Sequence, residues 1–209
     1  MSSAPSLNPW FPPLAPGAPS PKPLRAIGIV GVGKTGTGIA HWCATKGMGV
    51  ILHDSEAGAL SHGVEVIRGL FKAAEARNEI TGAAAHKAMG GISITTGLED
   101  MEFCDIIIET LTEDIATKRA RFAKFAKVMP PDALLASCAS AAGLDEISAA
   151  TPGPERIVGL LFFDPVHETG QVQVTLGAAT SRHTAERVLH FIGALGKQAV
   201  LSGPARPGV

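Results

Sequence analysis

The chain has 209 residues, 45% of them hydrophobic, a formal net charge of −1 and three cysteines. That length fills one core and is too short for two ordinary domains with a linker. The scattered charges argue against a nucleic-acid surface, no apolar run is long enough for a membrane span, and no metal-ligand spacing is apparent. Cys43, Cys104 and Cys138 form neither a CxxC pair nor an even set, as expected for reduced thiols in a cytoplasmic protein.

Residues 1–24 are dense in Pro, Ser and Gly, with neither a basic start nor a continuous apolar stretch, and read as a disordered tail rather than a signal peptide. Residues 25–209 read as one dinucleotide-binding domain in which strands and helices alternate. The class expected is α/β, a doubly wound Rossmann-type fold with a mostly parallel sheet. Strands are predicted at 26–30, 49–52, 92–95, 105–109, 133–137, 156–161, 171–175 and 199–201. Helices are predicted after the first strand through Cys43, then at about 56–77, 80–89, 114–128, 144–150 and 185–195. The β-branched run Ile106-Ile107-Ile108 marks a buried central strand.

Gly31-Val32-Gly33-Lys34-Thr35-Gly36 follows the first strand and opens a helix, the arrangement of a phosphate cradle. The first glycine allows the tight turn, the second lets a pyrophosphate approach the backbone, and the third lets helix and strand pack closely. The second strand leads into Asp54, about twenty residues past the glycines, where a carboxylate would hold the adenosine ribose hydroxyls. The cofactor expected is therefore NAD. Gly28 to Thr35 also satisfies GxxxxGK[ST], the P-loop of an NTPase, with Ile106 to Glu109 as a Walker-B-like strand. That alternative puts the β-branched Ile29 and Val30 in a phosphate loop, whereas the dinucleotide reading keeps them in a strand, where they pack well.

Four segments in order resemble the NAD-binding domain of the 3-hydroxyacyl-CoA dehydrogenase family: Ile29 to Ala40, Ile108 to Asp114, Pro131 to Ser137, and Arg156 to Val166. The resemblance covers residues 25 to about 201. It implies an oxidoreductase of acyl-CoA and fatty-acid metabolism. It also implies that Asp54 holds the adenosine ribose, that Glu113 and Lys118 lie by the nicotinamide ribose, and that Ser140 sits near the nicotinamide and the substrate hydroxyl. Read without the family, Glu113 is an acid at a helix start, Lys118 a solvated helix charge and Ser140 a turn residue.

The departures carry as much information as the matches. The family's catalytic histidine falls on Leu161, and the glutamate that orients it falls on Gln173. Oxidising a carbinol needs a base for the hydroxyl proton, and a carboxylate to fix and charge-stabilise the imidazole. Leucine accepts no proton and glutamine supplies no charge. The family's asparagine is Asp164, and its serine-rich turn is Cys138-Ala139-Ser140-Ala141. Where the family continues into a helical substrate and dimerisation domain, this sequence reads Gly203 to Val209, as in a short form or a truncated product. Two classes stay open: an NAD(H)-binding protein that has lost the chemical step, a pseudoenzyme, or an active dehydrogenase with a substitute base or a partner chain completing an acyl-CoA cleft. His167, beside Glu168, is the nearest substitute base; Cys138 is a conceivable thiolate read more simply as a buried structural cysteine.

Overall fold

In the computed structural model, residues 21–111 and 114–203 are described. Strand β1 (Ala26–Val30) pairs in parallel with β2 (Gly49–His53) on one side and β4 (Ile106–Glu109) on the other, and the sheet grows outward from this pair. With β3 (Ile92–Thr95), β5 (Leu134–Ser137), β6 (Ile157–Phe162), β7 (Gln171–Thr175) and β8 (Gln198–Ser202) the order is β3-β2-β1-β4-β5-β6-β7-β8. All neighbours are parallel except β6 and β7. The first six strands thus have the order 3-2-1-4-5-6 of dinucleotide-binding folds.

Alternation along each strand feeds two cores. On one face Ile27, Ile29, Ile108 and Val158 meet α1 (Lys34–Thr45), α2 (Ala57–Ala76), α3 (Gly82–Met89) and α6 (Arg182–Ala194). On the other, Val30, Ile107, Leu135 and Ile157 meet Phe122 and Phe125 of α4 (Ile115–Val128) and Leu144 and Ile147 of α5 (Ala141–Ala149). Central strands buried on both faces explain why β4 and β5 read as continuous apolar runs.

The predicted strands are found within a residue or so, and four helices start at a polar cap that satisfies an otherwise orphaned first-turn N–H. Helix α5 begins at Ala141, three residues before the expected start, because the Ser140 hydroxyl accepts from Gly143 N–H; α6 begins at Arg182, also three residues early, because Ser181 accepts from Thr184 N–H. Thr81 caps α3 and Asp114 caps α4 in the same way. The expected tail ends sooner than Leu24: Leu24 is buried in the first core, and Lys22 forms ion pairs with Asp105 and Asp132. Residues 1–20 of that tail lie outside the described residues. Among the described residues no helix is long and apolar enough to cross a membrane.

Candidate functional site

The glycine turn follows β1 at the carboxyl edge of the sheet, where open α/β folds bind ligands. Gly31 has φ +105°, and a Cβ there would lie 2.8 Å from both Thr110 Oγ1 and Leu111 Cδ2. At Gly36 a Cβ would lie 2.0 Å from the Gly31 carbonyl oxygen, so helix and turn touch backbone to backbone. Gly33 differs: a Cβ there meets nothing within 4 Å, and its φ of −68° suits any residue. What a side chain at Gly33 would fill is the open space before the first turn of α1, whose N-cap makes no side-chain hydrogen bond. A pyrophosphate fits that cradle: open space, uncapped N–H groups and the positive pole of a twelve-residue helix. Val32 packs against Gly63 of α2, and Lys34 and Thr35 open the helix, Lys34 exposed to solvent.

Asp54 stands one residue beyond β2. Its Oδ1 accepts from Glu56 N–H at 3.1 Å, which holds the carboxylate at the strand end without burying it, in the position a ribose diol would require. The P-loop alternative is overturned by the register: Gly28, Ile29 and Val30 are strand residues paired with Ile51, Leu52 and His53 and with Ile107, Ile108 and Glu109, so no phosphate loop begins at Gly28.

Glu109 ends β4 fully buried. Lys118 of α4 reaches it with Nζ 2.7 Å from Oε1 and 2.6 Å from Oε2, Ser137 donates to Oε2 at 2.9 Å, and Leu111 N–H donates to Oε1 at 2.8 Å. The third Lys118 donor goes to Leu111 O at 2.7 Å. Lys118 is therefore a buried partner of Glu109, neither a solvated helix charge nor an open arm in the cleft. The sequence reading missed this network, although a carboxylate closing a wholly apolar strand demands a partner. Glu113, expected beside it, lies outside the described residues.

Across the sheet, the antiparallel register of β6 and β7 sets Leu161 directly opposite Gln173. Leu160 and Phe162 enter the first core, so Leu161 projects from the other face, where it is 39% exposed. The Gln173 amide donates to Ser202 Oγ at 3.2 Å. The Cys138 thiol donates to Leu160 O at 3.0 Å, so the exit of β5 toward Ser140 runs beside the Leu161 segment. Burial, followed by the Glu109 charge, pushes that thiol up to about 11, the state of a structural cysteine. Ser140 caps α5 with its hydroxyl exposed. Asp164 reaches back to the glycine turn and accepts from Thr35 Oγ1 at 2.8 Å. His167 is not brought to Leu161: it packs against His41 of α1, ring centroids 6.0 Å apart, on the opposite side of the sheet.

With this geometry in place the comparisons are decisive. Residues 26–204 match the family model for the NAD-binding domain of 3-hydroxyacyl-CoA dehydrogenase. The chain belongs to this family. A 3-hydroxybutyryl-CoA dehydrogenase of Bradyrhizobium diazoefficiens is 35% identical over 179 residues, covering 86% of this chain and 61% of the relative. A 3-hydroxyadipyl-CoA dehydrogenase of Escherichia coli is 30% identical over 85% of this chain and 37% of its own length. The crystal structure of FadB2 from M. tuberculosis superposes with a TM-score of 0.84 at 32% identity, covering 90% of this chain and 66% of that one. The chain thus spans about 61% of the first of these 3-hydroxyacyl-CoA dehydrogenase relatives and matches their NAD-binding part.

Proposed function

We propose that this 3-hydroxyacyl-CoA dehydrogenase-type domain binds NAD(H) in the cytoplasm through Gly31 to Gly36 and Asp54 and has lost the family's chemical step. The observation that carries the reading is the pairing of Leu161 with Gln173 across β6 and β7. The strands keep the geometry that would set a base against its orienting carboxylate, and neither group is there. Bound NAD would supply a hydride acceptor; the chain itself must accept the hydroxyl proton, and a leucine does not. Ser140, which caps α5 after β5, offers a hydrogen bond but no base at neutral pH.

The substrates in the relatives' names, 3-hydroxybutyryl-CoA and 3-hydroxyadipyl-CoA, make an acyl-CoA the ligand class to test and acyl-CoA metabolism the context. A second polypeptide is not needed for NAD binding in this reading, though it would complete an acyl-CoA cleft. The rival reading, turnover with His167 as base, is disfavoured by the placement of that ring against α1.

The test is reduction of acetoacetyl-CoA by NADH. The unmodified chain should bind NADH and turn over negligibly. Leu161→His with Gln173→Glu should raise the rate by roughly 10²–10⁴-fold, the usual contribution of general base catalysis. Robust turnover by the unmodified chain would overturn the proposal.

A further inference from the structure

On the far half of α1 from the glycine turn lies a cavity of about 570 Å³, walled by α1, the end of α2, the turn at Glu79 and Ile80, and the loop between β6 and β7. Its volume is in the range of small-molecule sites. His41 faces it with only 3% of its surface exposed, and neither ring nitrogen has a hydrogen-bond partner among the described residues. A buried imidazole with both nitrogens unmet has lost its bonds to water and gained no bond in return, which is costly. A ligand in the cavity would supply that bond.

The charges of the wall point to the ligand's sign. Arg77 is held by Glu79 through two hydrogen bonds of 2.6 and 3.0 Å, and the solvent-exposed Glu168 lies 3.4 Å from His167, which balances it only when protonated. Among the described residues the lining cation outside any ion pair is Lys46. The Lys46 and Lys197 ammonium groups sit 4.5 and 4.7 Å from the Trp42 ring centroid, and among the described residues neither has a carboxylate within ion-pair distance. Lys197 is buried and donates to Val166 O and Thr169 O, which leaves the exposed Lys46 as the cation at the cavity rim. Trp42, Ala74 and Ile80 add an apolar surface beside these polar groups.

We propose that this cavity is a second ligand site, separate from the glycine turn, for a small organic carboxylate. Its carboxylate accepts from His41 and pairs with Lys46, and its hydrocarbon body lies on Trp42, Ala74 and Ile80. The reading does not depend on NAD binding.

Calorimetric titration of the full chain with butyrate, backed by the NMR signal of the Trp42 indole N–H, tests it. Butyrate should bind and shift that signal, while the uncharged isostere butyramide should not. Lys46→Gln, an exposed position that leaves the fold intact, should weaken butyrate roughly tenfold, the scale of one charge-assisted hydrogen bond. His41→Phe, which keeps the ring against Phe71, should abolish binding. The proposal fails if butyrate does not bind, if butyramide binds equally, or if both variants bind as the parent does. Inorganic phosphate binding more tightly than butyrate would overturn the organic ligand in favour of a simple oxyanion, and Zn²⁺ binding that is lost in His41→Phe while butyrate does nothing would replace it with a metal site.

Discussion

At the β1–β2 end of the sheet Gly31, Gly36 and Asp54 have the features a dinucleotide requires, whereas at the β6–β7 end the paired positions proposed to have lost the chemical groups carry Leu161 and Gln173. The difference follows from what each set of residues does for the fold. Phosphate recognition here is made of backbone: a positive φ at Gly31 and a helix pressed against a carbonyl at Gly36 also hold α1 to the sheet, so they cannot drift without damage. Position 161 projects from a half-exposed face, and nothing in the packing dictates what it carries. On the proposed reading, binding and chemistry in this fold are separable, because a change at position 161 costs the packing little.

The joint between the two ends should give the largest effect on stability. Lys118→Met strips Glu109 of its buried counter-charge at the centre of the sheet, and losing one partner of a buried pair typically costs about 3–5 kcal/mol. Urea denaturation should show that loss, and adding Glu109→Gln should recover part of it. A loss below about 1 kcal/mol would mean that water reaches Glu109 and that the joint is softer than its burial implies.

That pair also marks the boundary of what the sequence discloses. The strands were legible because their apolar runs are long and β-branched, and the glycine turn because its spacing sits between a strand and a helix. Leu161 was legible through the family segment Arg156 to Val166, and Gln173 through the strand that follows it. The Glu109–Lys118 contact was not, since it joins a strand end to a helix nine positions later, a distance set by how the intervening turn folds and by no helical or strand period. Helix starts were misjudged for a local reason: Ser140 and Ser181 extend α5 and α6 toward their N-termini, a polar signal invisible to a search for apolar periodicity. His41 gave no signal at all, because burial of a lone polar residue on an amphipathic helix depends on the loop that covers it.

His41 sits where α1, from the first half, meets the loop that leaves β6, and it makes that contact sensitive to acid. Its pKa is lowered to about 4, first by burial and then by the charges of His167 and Arg77, with Glu79 opposing weakly. An unfolded histidine takes up its proton near pH 6.5, before the folded one does. Stability should therefore fall as pH drops from about 6.5 to about 4, by about 3 kcal/mol at most from this group, and be fully present above that window. Denaturation midpoints across pH 4–7 should slope less in His41→Phe. An unchanged slope would assign the acid sensitivity to other groups.

Within the glycine turn, two substitutions separate fold from recognition. Gly36→Ala places a methyl 2.0 Å from the Gly31 carbonyl and should cost about 1–3 kcal/mol of stability along with NADH binding. Gly33→Ala meets no atom within 4 Å, so its denaturation curve should be unchanged while NADH binding weakens, because the methyl occupies the space meant for the pyrophosphate. If both lose stability equally, the turn has no position devoted to the ligand, and the separation of binding from packing fails at this end.

The smallest effect is expected at Asp164, where the two ends touch. Its carboxylate accepts from Thr35 Oγ1 at 2.8 Å, placing a negative charge at the mouth of a cradle built for a negative ligand. The contact is exposed, so the repulsion is that of partly screened charges several ångströms apart, about 0.5–1 kcal/mol at low salt. Asp164→Asn keeps an acceptor for Thr35 and removes the charge. NADH affinity in the variant should rise about two- to fivefold at low ionic strength, and the gain should vanish near 1 M salt, where the screening length falls to about 3 Å. A gain that persists in high salt would point to a change in turn geometry rather than charge. A loss of affinity would mean that the Asp164–Thr35 bond positions the turn, and that the chemical end of the sheet still contributes to holding the cofactor end in place.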